Sequence, residues 1–323
     1  MTFAPRAAFG IPVYNHAHQL RRTLESILSQ SFGDLGILVV DDCSTDETPQ
    51  ILAEYAALDP RLKVVRNERQ HGYTRNAMKT WRLARESFPS IEYFAWGSDH
   101  DLWHPDWLRL LVAALDAAPE APIAWSWYHR IGAEGEMIMS RREMLGRGGS
   151  ADRTARVRYV GSGAAAGSCI YSLIRVPALE RTSGLRLVLV PDRLLLAELA
   201  ALGPFVEVPE YLWHRRYAGL ASGARQRRSS FPGGAPLYTH LPVWAQHLAV
   251  LAQDWLLRGL GPPELSWPGR LRLLALYTLD NASIDRRRRD NRAAMKRRKQ
   301  EARDRERAAR KKTKAKEPTR DAA

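Results

Sequence analysis

Three consecutive polar residues, Asp99, His100 and Asp101, lie in the stretch WGSDHDLWHP. They follow an apolar run, Ile91 to Trp96, that predicts a strand, and they precede a helix that Pro105 is predicted to begin. Neighbouring carboxylates repel each other, so a turn of this composition needs either a bound cation or full solvation. The first alternative predicts a metal site, and the second a solvated turn in which Asp101 caps the next helix.

The elements that would position these residues alternate between strands and helices. Apolar runs predict strands at 7–13, 36–40, 62–65 and 91–96, and amphipathic spacing predicts helices at 17–29, 46–58, 74–87 and 105–117. This alternation is typical of a doubly wound, mostly parallel, Rossmann-like α/β sheet. Ligands of such sheets bind outside the carboxyl ends of the strands.

Polar residues follow three of these predicted strands. Asp41 and Asp42, in VVDDCSTDET, come after the second strand, as the Asp99–Asp101 turn comes after the fourth. The first strand ends in a further group, namely Pro12, Tyr14 and Asn15. We expect the three groups to meet at one edge of the sheet. Alone, Asp41 and Asp42 could equally be turn formers or helix caps.

Carboxylates at two strand ends suit a nucleoside diphosphate ligand. They can accept hydrogen bonds from a base or ribose, and a divalent cation would bridge them to the diphosphate that they otherwise repel. The chain lacks both G-x-x-x-x-G-K-[ST] and a G-x-G-x-x-G after a strand. This absence argues against P-loop enzymes and dinucleotide dehydrogenases, and it favours a diphosphate held by a metal ion.

Composition and charge limit the classes of protein to which the chain can belong. The chain of 323 residues has a net charge of +14, yet the segment from Asp285 to the end holds 18 lysine and arginine residues against 7 acidic ones, a net charge of +11. The basicity therefore belongs to an appendage. We expect no secretory leader and no membrane span. With only two cysteines, Cys43 and Cys169, a reducing cytoplasm fits best.

The motifs resemble those of a known family. GIPVYNHAHQLRRTLESILSQSF, LVVDDCSTDETPQIL, HGYTRNA and the acidic turn with WHPDWL occur in order over about residues 7–217. Together they resemble a family 2 glycosyltransferase with the GT-A fold. The resemblance implies transfer of a sugar, with inversion, from a nucleoside diphosphate sugar to an acceptor hydroxyl, assisted by Mn²⁺ or Mg²⁺.

The resemblance also implies roles for individual residues. The nucleotide would be bordered or bound by Pro12, Tyr14, Asn15, Asp41, Asp42, Arg75 and Asp99, with Asp42 on the base and Asn76 supporting the HGYTRNA loop. The metal would be held within the set Asp99, His100, Asp101 and His214. Ser98 and His100 stand where the family usually has aspartates, and an imidazole ligand shifts the preference toward Mn²⁺.

The acceptor half is expected to supply a catalytic base. In VLVPDRLLLAELAALG the resemblance points to Asp192 at the head of a helix, with Glu198 as the weaker candidate. Helix capping would explain Asp192 as well as base catalysis does. In LWHRRY, His214, Arg215 or Arg216 could face the metal or the diphosphate. Gly146 to Gly167 is predicted to be a mobile loop, and Gly219 to Pro236 a polar linker.

We predict three parts of the chain. A GT-A domain spans 1–220, with a nucleotide-binding half (1–120) and an acceptor half (121–220); a helical extension spans 221–284, and a basic low-complexity tail spans 285–323. The tail could be a solvated helix, an anchor to anionic lipid or a nucleic-acid contact. It has no interleaved aromatic residues, so nucleic acid is disfavoured. A cytoplasmic enzyme, peripheral at the inner membrane face, fits the lipid alternative.

The acceptor could be a glycan, a lipid-linked molecule or another hydroxyl compound. Two other functions remain open at this point. One is a sugar-nucleotide nucleotidyltransferase, which would release pyrophosphate rather than a nucleoside diphosphate. The other is a non-enzymatic binding protein that acts through the basic tail.

Overall fold

The computed structural model describes residues 4–141, 148–163, 169–216 and 222–314. The strands in these ranges are Ala7–Val13 (β1), Leu35–Asp41 (β2), Leu62–Arg66 (β3), Tyr93–Trp96 (β4), Leu102–Trp103 (β5), Ile123–Ile131 (β6), Met137–Arg141 (β7), Leu173–Arg175 (β8) and Val206–Arg216 (β9). The α-helices are Ala17–Leu28 (α1), Thr48–Leu58 (α2), Tyr73–Ser87 (α3), Trp107–Ala117 (α4), Arg153–Gly161 (α5), Val176–Glu180 (α6), Pro191–Leu202 (α7), Gly223–Ser230 (α8), Val243–Ala252 (α9) and Trp267–Lys314 (α10).

The strands form one sheet in the order β3-β2-β1-β4-β8-β6-β9-β5, with β7 paired to β6. β1 pairs in parallel with both β2 and β4, and β2 pairs in parallel with β3. Every residue of β1 and β2 is buried, as expected for parallel strands covered by helices on both faces. The predicted α/β fold with a mostly parallel central sheet is confirmed, although β8 and β5 pair antiparallel with their neighbours.

Two apolar clusters cover the two faces of the sheet. One contains buried residues of α1 and α4, including Leu24 and Leu111, and the other contains residues of α3, α7 and α10, including Trp81 and Leu195. The C-terminal helices therefore complete the core on the α3 face. Within the described residues, no helix combines the length and the apolarity that crossing a bilayer requires.

Two segments predicted to be irregular contain helices. The predicted loop at 146–167 includes α5, which buries Val157 and Val160, and the predicted linker at 219–236 includes α8. The loop prediction was wrong for 153–161 because the apolar side of α5 is short, and its packing against α7 and α10 supplies the stability. Parts of both segments, 146–147, 164–167 and 219–221, lie outside the described residues.

The predicted boundary at Asp285 lies within a single helix. α10 runs without a break from Trp267 to Lys314, so the described part of the basic tail continues a helix whose first turns are packed on the core. Leu273, Leu274 and Tyr277 are buried, whereas the side chain of Met295 is exposed. The change from a packed helix to a basic helix thus occurs without a change of secondary structure.

Candidate active site

The carboxyl ends of β1, β2 and β4 lie side by side. Val13 is in register with Asp41, and the amide of Asp42 donates to the carbonyl of Val13 at 2.8 Å. On the other side of β1, the amide of Gly97 donates to the carbonyl of Gly10 at 2.9 Å. The three loops that follow these strands therefore leave the sheet at one edge, as the sequence predicted.

Asp42 is buried and organises the loop before α3. One of its carboxylate oxygens accepts hydrogen bonds from Asn67 Nδ2 and the His71 amide, and the other from the Gly72 amide, all at 2.8 Å. Gly72 has a φ of 87°, and a Cβ there would meet the carbonyl oxygen of Ser230 at 2.7 Å. Asp42 thus holds the loop of the HGYTRNA motif against the end of β2.

Replacing Asp42 with asparagine is expected to destabilise the protein. Its amide nitrogen would face a backbone N–H group or Asn67 Nδ2, so at least one buried donor would lose its acceptor, and each hydrogen bond to a charged group contributes about 1.5–3 kcal/mol. We expect a loss of about 3 kcal/mol in the free energy of unfolding, measured by urea denaturation. Asp34→Asn, at an exposed position, is the control, and an equal effect of the two variants would contradict this role of Asp42.

Asp41 and Asn15 connect the first two loops. Asp41 is buried, and its Oδ1 accepts from the Ser44 amide at 3.0 Å, while its Oδ2 lies 3.6 Å from Arg66 Nε. Asn15 has a φ of 52°, its amide donates to Ser44 Oγ at 2.9 Å, and its Oδ1 accepts from the Thr45 amide at 2.8 Å. Asn15 is therefore a structural bridge, and the site-facing position after it is His16.

Two further residues predicted from the first motif lie at the same edge. Pro12 is buried in β1, in register with Val40, and the side chain of Tyr14 is partly exposed directly after the strand. Tyr14 therefore lies where its ring could border a bound nucleotide. These two roles stay predictions.

Three side chains form a candidate cation site. His16 Nδ1 lies 2.6 Å from one Asp99 oxygen, and His100 Nδ1 lies 2.7 Å from the other. Ligand atoms of His16, Asp99 and His100 all lie within 4.8 Å of one another. Burial would raise the pKa of Asp99, but hydrogen bonds from His100 and His16 outweigh it and hold that pKa well below its usual range. Asp99 is accordingly a carboxylate, as a metal ligand must be.

The donor set suits a transition metal better than Mg²⁺. It combines two imidazole nitrogens with a carboxylate, and imidazole favours Mn²⁺ and later metals over Mg²⁺. His16 was not among the residues predicted to bind the metal, although it lies within the first motif. Its position in a loop said nothing about its distance from Asp99, which depends on the pairing of β1 with β4.

Asp101 and His214 lie outside this three-residue cluster. Asp101 is buried, accepts from the Arg216 amide at 2.7 Å, and has its Oδ1 3.9 Å from His100 Nε2. Its carboxylate thereby joins the acidic turn to β9. His214 is in register with Leu102, and its ring lies 5.3 Å from that of His129. The predicted roles of Asp101 and His214 as ligands stay untested.

Arg216 holds the acidic turn from a second direction. Its Nε donates to the His100 carbonyl at 2.9 Å, and its Nη1 donates to the carbonyls of Gly132 and Ala133. The last residue of β9 thus connects the acidic turn to the loop after β6. From the sequence, Arg216 was one of three residues expected to face the metal or the diphosphate. In the structure its side chain donates to backbone carbonyls of the acidic turn and of the loop after β6.

Asp192 lies in the first turn of α7, after Val190, which has a φ of 56°. Burial raises the pKa of Asp192, although Arg193 and Arg215 act in the opposite direction. Asp192 and Asp99 both raise the pKa of the Tyr73 phenol, adding to the larger effect of desolvation. The carboxylates of α7 and of the acidic turn are therefore both close enough to Tyr73 to act on its charge.

Arg215 lies near Asp101 and Asp192. It lowers the pKa values of Asp101 and Asp192, in each case against a larger effect of burial that raises them. Its guanidinium also stacks over Trp213, at 5.5 Å from the ring centroid. Arg215 is thus the positive charge shared by the acidic turn and the head of α7.

A buried polar network supports the segment that carries Asp192. Arg193 Nη1 donates to Asn281 Oδ1 of α10 at 2.7 Å, and His247 Nε2 donates to the Leu189 carbonyl at 2.8 Å. Burial lowers the pKa of His247 to about 4, so its imidazole is neutral at physiological pH. Because Nε2 carries the proton, Nδ1 accepts a hydrogen bond from the Tyr277 hydroxyl at 2.6 Å. The C-terminal helices therefore fix the position of the candidate base.

Glu198, the second candidate for the base, is completely buried on α7. Ser183 Oγ donates to it at 3.2 Å, and burial together with the nearby Asp254 raises its pKa to about 8. Its inaccessibility to solvent makes it unsuited to contact an acceptor. We regard it as a structural acid that is protonated at neutral pH.

Glu198 makes the stability depend on pH. Between its ordinary pKa of about 4.5 and about 8, the folded protein keeps a proton that the unfolded chain releases, so stability falls as the pH rises through this window. Glu198→Gln removes this dependence on pH, because glutamine does not ionise. We expect the replacement to raise the free energy of unfolding by about 3 kcal/mol at pH 8 relative to the wild type, but little at pH 5. Urea denaturation at both pH values checks this. Glu210→Gln, at an exposed position, should leave both values unchanged, and a Glu198→Gln effect independent of pH would contradict the assignment.

Comparisons with known proteins place the chain in a family. The model of the family described as glycosyl transferase family 2 matches residues 9–182. The chain is 35% identical over 110 residues to the putative glycosyltransferase EpsH of Bacillus subtilis, covering 33% of this chain and 30% of that protein. It is 34% identical over 116 residues to the succinoglycan biosynthesis protein ExoO of Rhizobium meliloti, covering 35% and 31%. The matches thus span only about a third of these relatives.

Solved structures share the fold. TarS 1–349 of S. aureus, in complex with UDP-GlcNAc, aligns with a TM-score of 0.57 at 15% identity, covering 86% of this chain and 73% of TarS 1–349. The mannosyltransferase PcManGT of Pyrobaculum calidifontis, in complex with GDP-Man and Mn²⁺, aligns with a TM-score of 0.51 at 20% identity, covering 87% and 88%. At these identities the likeness shows the fold alone. Because the family model covers more than half of its residues, the chain belongs to glycosyl transferase family 2.

Proposed function

We propose that this protein transfers a sugar from a nucleoside diphosphate sugar to an acceptor hydroxyl, with inversion at the anomeric carbon. The observation that carries the proposal is that the loops after β1, β2 and β4 are joined by side chains and lie near α7. His16 contacts Asp99, Asn15 connects this loop to that of Asp41, and Asp99 and Asp192 both act on the charge of Tyr73. A donor nucleotide bound at the loops of Asp41 and Asp42 would therefore present its diphosphate between the acidic turn and α7.

In this proposal Asp192 is the general base. The acceptor oxygen forms its bond to the anomeric carbon while the bond from that carbon to the diphosphate oxygen breaks, and the electron pair leaves with the nucleoside diphosphate. The acceptor's proton passes to the Asp192 carboxylate. Burial raises the pKa of Asp192, and a more basic carboxylate takes up the proton more readily. Arg215, which lies near Asp192, would stabilise the departing charge.

His16, Asp99 and His100 would hold a divalent cation. A bound Mn²⁺ would act as a Lewis acid on the diphosphate oxygens. The protein's own contribution is to fix the ligands, since Arg216 donates to the backbone carbonyl of His100 and leaves the imidazole of that residue available to the cation. PcManGT, whose fold is similar, is described in complex with Mn²⁺. Asp101 and His214 stay alternative ligands that the comparison of variants below distinguishes.

The nucleotide would lie against the loops of the first two motifs, with Tyr14 beside it and Asp42, as the resemblance implies, accepting a hydrogen bond from the base. Arg75 follows the loop that Asp42 organises, and its guanidinium lies 5.8 Å from the centroid of the Phe231 ring. The acceptor would be a glycan, a lipid-linked molecule or another hydroxyl compound. A cytoplasmic enzyme whose basic tail lies at an anionic membrane surface is consistent with such acceptors, and we include both features in the proposal.

Product analysis tests the proposed reaction. The purified chain is incubated with Mn²⁺ and, separately, with UDP-, GDP- and dTDP-linked sugars, and the released nucleotide is identified by chromatography. Free nucleoside diphosphate, formed by transfer or slow hydrolysis, supports the proposal. Release of pyrophosphate would instead show a nucleotidyltransferase. Asp192→Asn provides the control for release that does not depend on the site.

A further inference from the structure

A cavity beside the candidate nucleotide site, with which it shares Arg75, lies between α3, the segment before α7, and α9. Its volume is about 850 Å³, which is within the range of about 300–1,000 Å³ that is usual for ligand pockets. One wall is apolar and is formed by Met78, Leu185, Val188, Ala245, Ala249 and Val250. None of His16, Asp99, His100 and Asp192 lines it.

The rim of this cavity is positively charged. Arg75, Lys79 and Arg82 are spaced so that they share one face of α3, and Arg186 lies across the cavity from them. No aspartate or glutamate is among the described residues that line the cavity. Like charges at this spacing destabilise a helix, so their presence on one face is unfavourable unless an anion binds there.

Three cations of α3, namely Arg75, Lys79 and Arg82, form no ion pair within the part of the chain that the structure describes, whereas Arg85 pairs with Glu180. Lys79 donates to Asn67 Oδ1 at 2.7 Å, Arg75 lies over the Phe231 ring, and the side chain of Arg82 is exposed. Arg186 is partly neutralised, because Asp254 lies 3.5 Å away. An anion bound at the α3 side would therefore gain charge-assisted hydrogen bonds without displacing an internal ion pair.

From these observations we propose that the cavity binds a phosphate-headed lipid. The phosphate lies on Arg82 and Lys79, away from Arg75, and the aliphatic chain lies along the apolar wall formed by α9 and residues 185–188. A nucleoside diphosphate sugar has no aliphatic part that would fill this wall, so its chemistry fits the cavity poorly. The proposal does not depend on the donor or on the transfer reaction.

A soluble lipid analogue tests the proposal on the full chain. Decyl phosphate, kept below its micelle concentration, should bind at least about tenfold more tightly than inorganic phosphate, because chain burial adds to the phosphate contacts. Decanol should bind more weakly than decyl phosphate. Isothermal titration calorimetry measures all three. Equal affinities for decyl phosphate and inorganic phosphate would overturn the proposal, since the apolar wall would then contribute nothing.

Two variants and a matched control locate the ligand. Arg82→Glu should weaken decyl phosphate binding about tenfold or more, and Ala245→Trp should block the cavity. Arg272→Glu makes the same charge change at an exposed position of α10 outside the cavity and should have no effect. Thermal melting checks that each variant is folded. If Ala245→Trp does not fold, the affinity of Arg82→Glu for decyl phosphate decides by itself whether the cavity is the binding site.

Competition distinguishes the cavity from the donor site. A saturating nucleoside diphosphate with Mn²⁺ should leave decyl phosphate bound. Complete displacement by the nucleotide, or equal affinity of Arg82→Glu and wild type, would overturn the proposal. Failure of the sugar-transfer assay alone would leave the expected lipid affinities unchanged.

Discussion

Asp192→Asn is expected to lower kcat for sugar transfer by about a thousandfold while the affinity for the donor changes little. General base catalysis contributes about 10²–10⁴-fold to a rate, and asparagine cannot accept the acceptor's proton. Asparagine nearly preserves the volume and can keep a polar contact at the head of α7. The measurement compares kcat with the dissociation constant of the nucleoside diphosphate sugar.

The control for this variant is an aspartate at the head of another helix. Asp152 caps α5, where its Oδ1 accepts from the Thr154 amide at 2.9 Å, so Asp152→Asn tests the effect of the same replacement at a helix start. We expect Asp152→Asn to keep the wild-type kcat and the wild-type affinity for the donor. If Asp192→Asn keeps more than about a tenth of the wild-type kcat, or loses donor affinity instead, Asp192 is a structural residue of the first turn of α7 and not the base.

Asp99→Asn is expected to abolish the metal dependence of donor binding. Asp99 contacts both imidazoles of the cluster, so its replacement removes the only carboxylate of the three-residue set. We expect a loss of at least about a hundredfold in Mn²⁺ affinity, by analogy with the 10–100-fold losses caused by altering residues that merely orient metal ligands. Calorimetric titration of Mn²⁺ in the presence of a nucleoside diphosphate measures this loss.

Variants of the alternative ligands provide the control. His214→Ala and Asp101→Asn should keep Mn²⁺ affinity, because His214 faces His129 and Asp101 is engaged by the Arg216 amide. Asp101→Asn can retain an oxygen as acceptor for that amide. His16→Ala should weaken Mn²⁺ binding. A loss of affinity in His214→Ala as large as that in Asp99→Asn would show that the metal lies elsewhere.

Some features of the molecule could be predicted from the sequence because they depend on neighbours along the chain. Four of the five strands and all four helices of residues 7–117 follow from local apolar periodicity, and their alternation implied parallel pairing. The loops after β1, β2 and β4 were therefore expected at one edge, and the structure confirms it. The motifs within these loops identified the family, which the match to residues 9–182 confirms.

Other features depended on contacts between distant parts of the chain. α5 was missed because its stability comes from packing on α7 and α10, and the mixed pairing of β5, β8 and β9 leaves no local signal. The direction of Asp101 is set by Arg216, 115 residues away, which turns one acid of the acidic turn inward.

The sequence by itself determined which residue types stand at the ends of the first strands and the charge of the tail, because these are properties of local composition. Only the tertiary structure decided that His16 joins Asp99 and His100, and that Asp192 and Asp99 both lie near Tyr73. The physical reason is that a site of this kind is built from loops of different strands. Their side chains meet only after the sheet order and the packing of the C-terminal helices have been established.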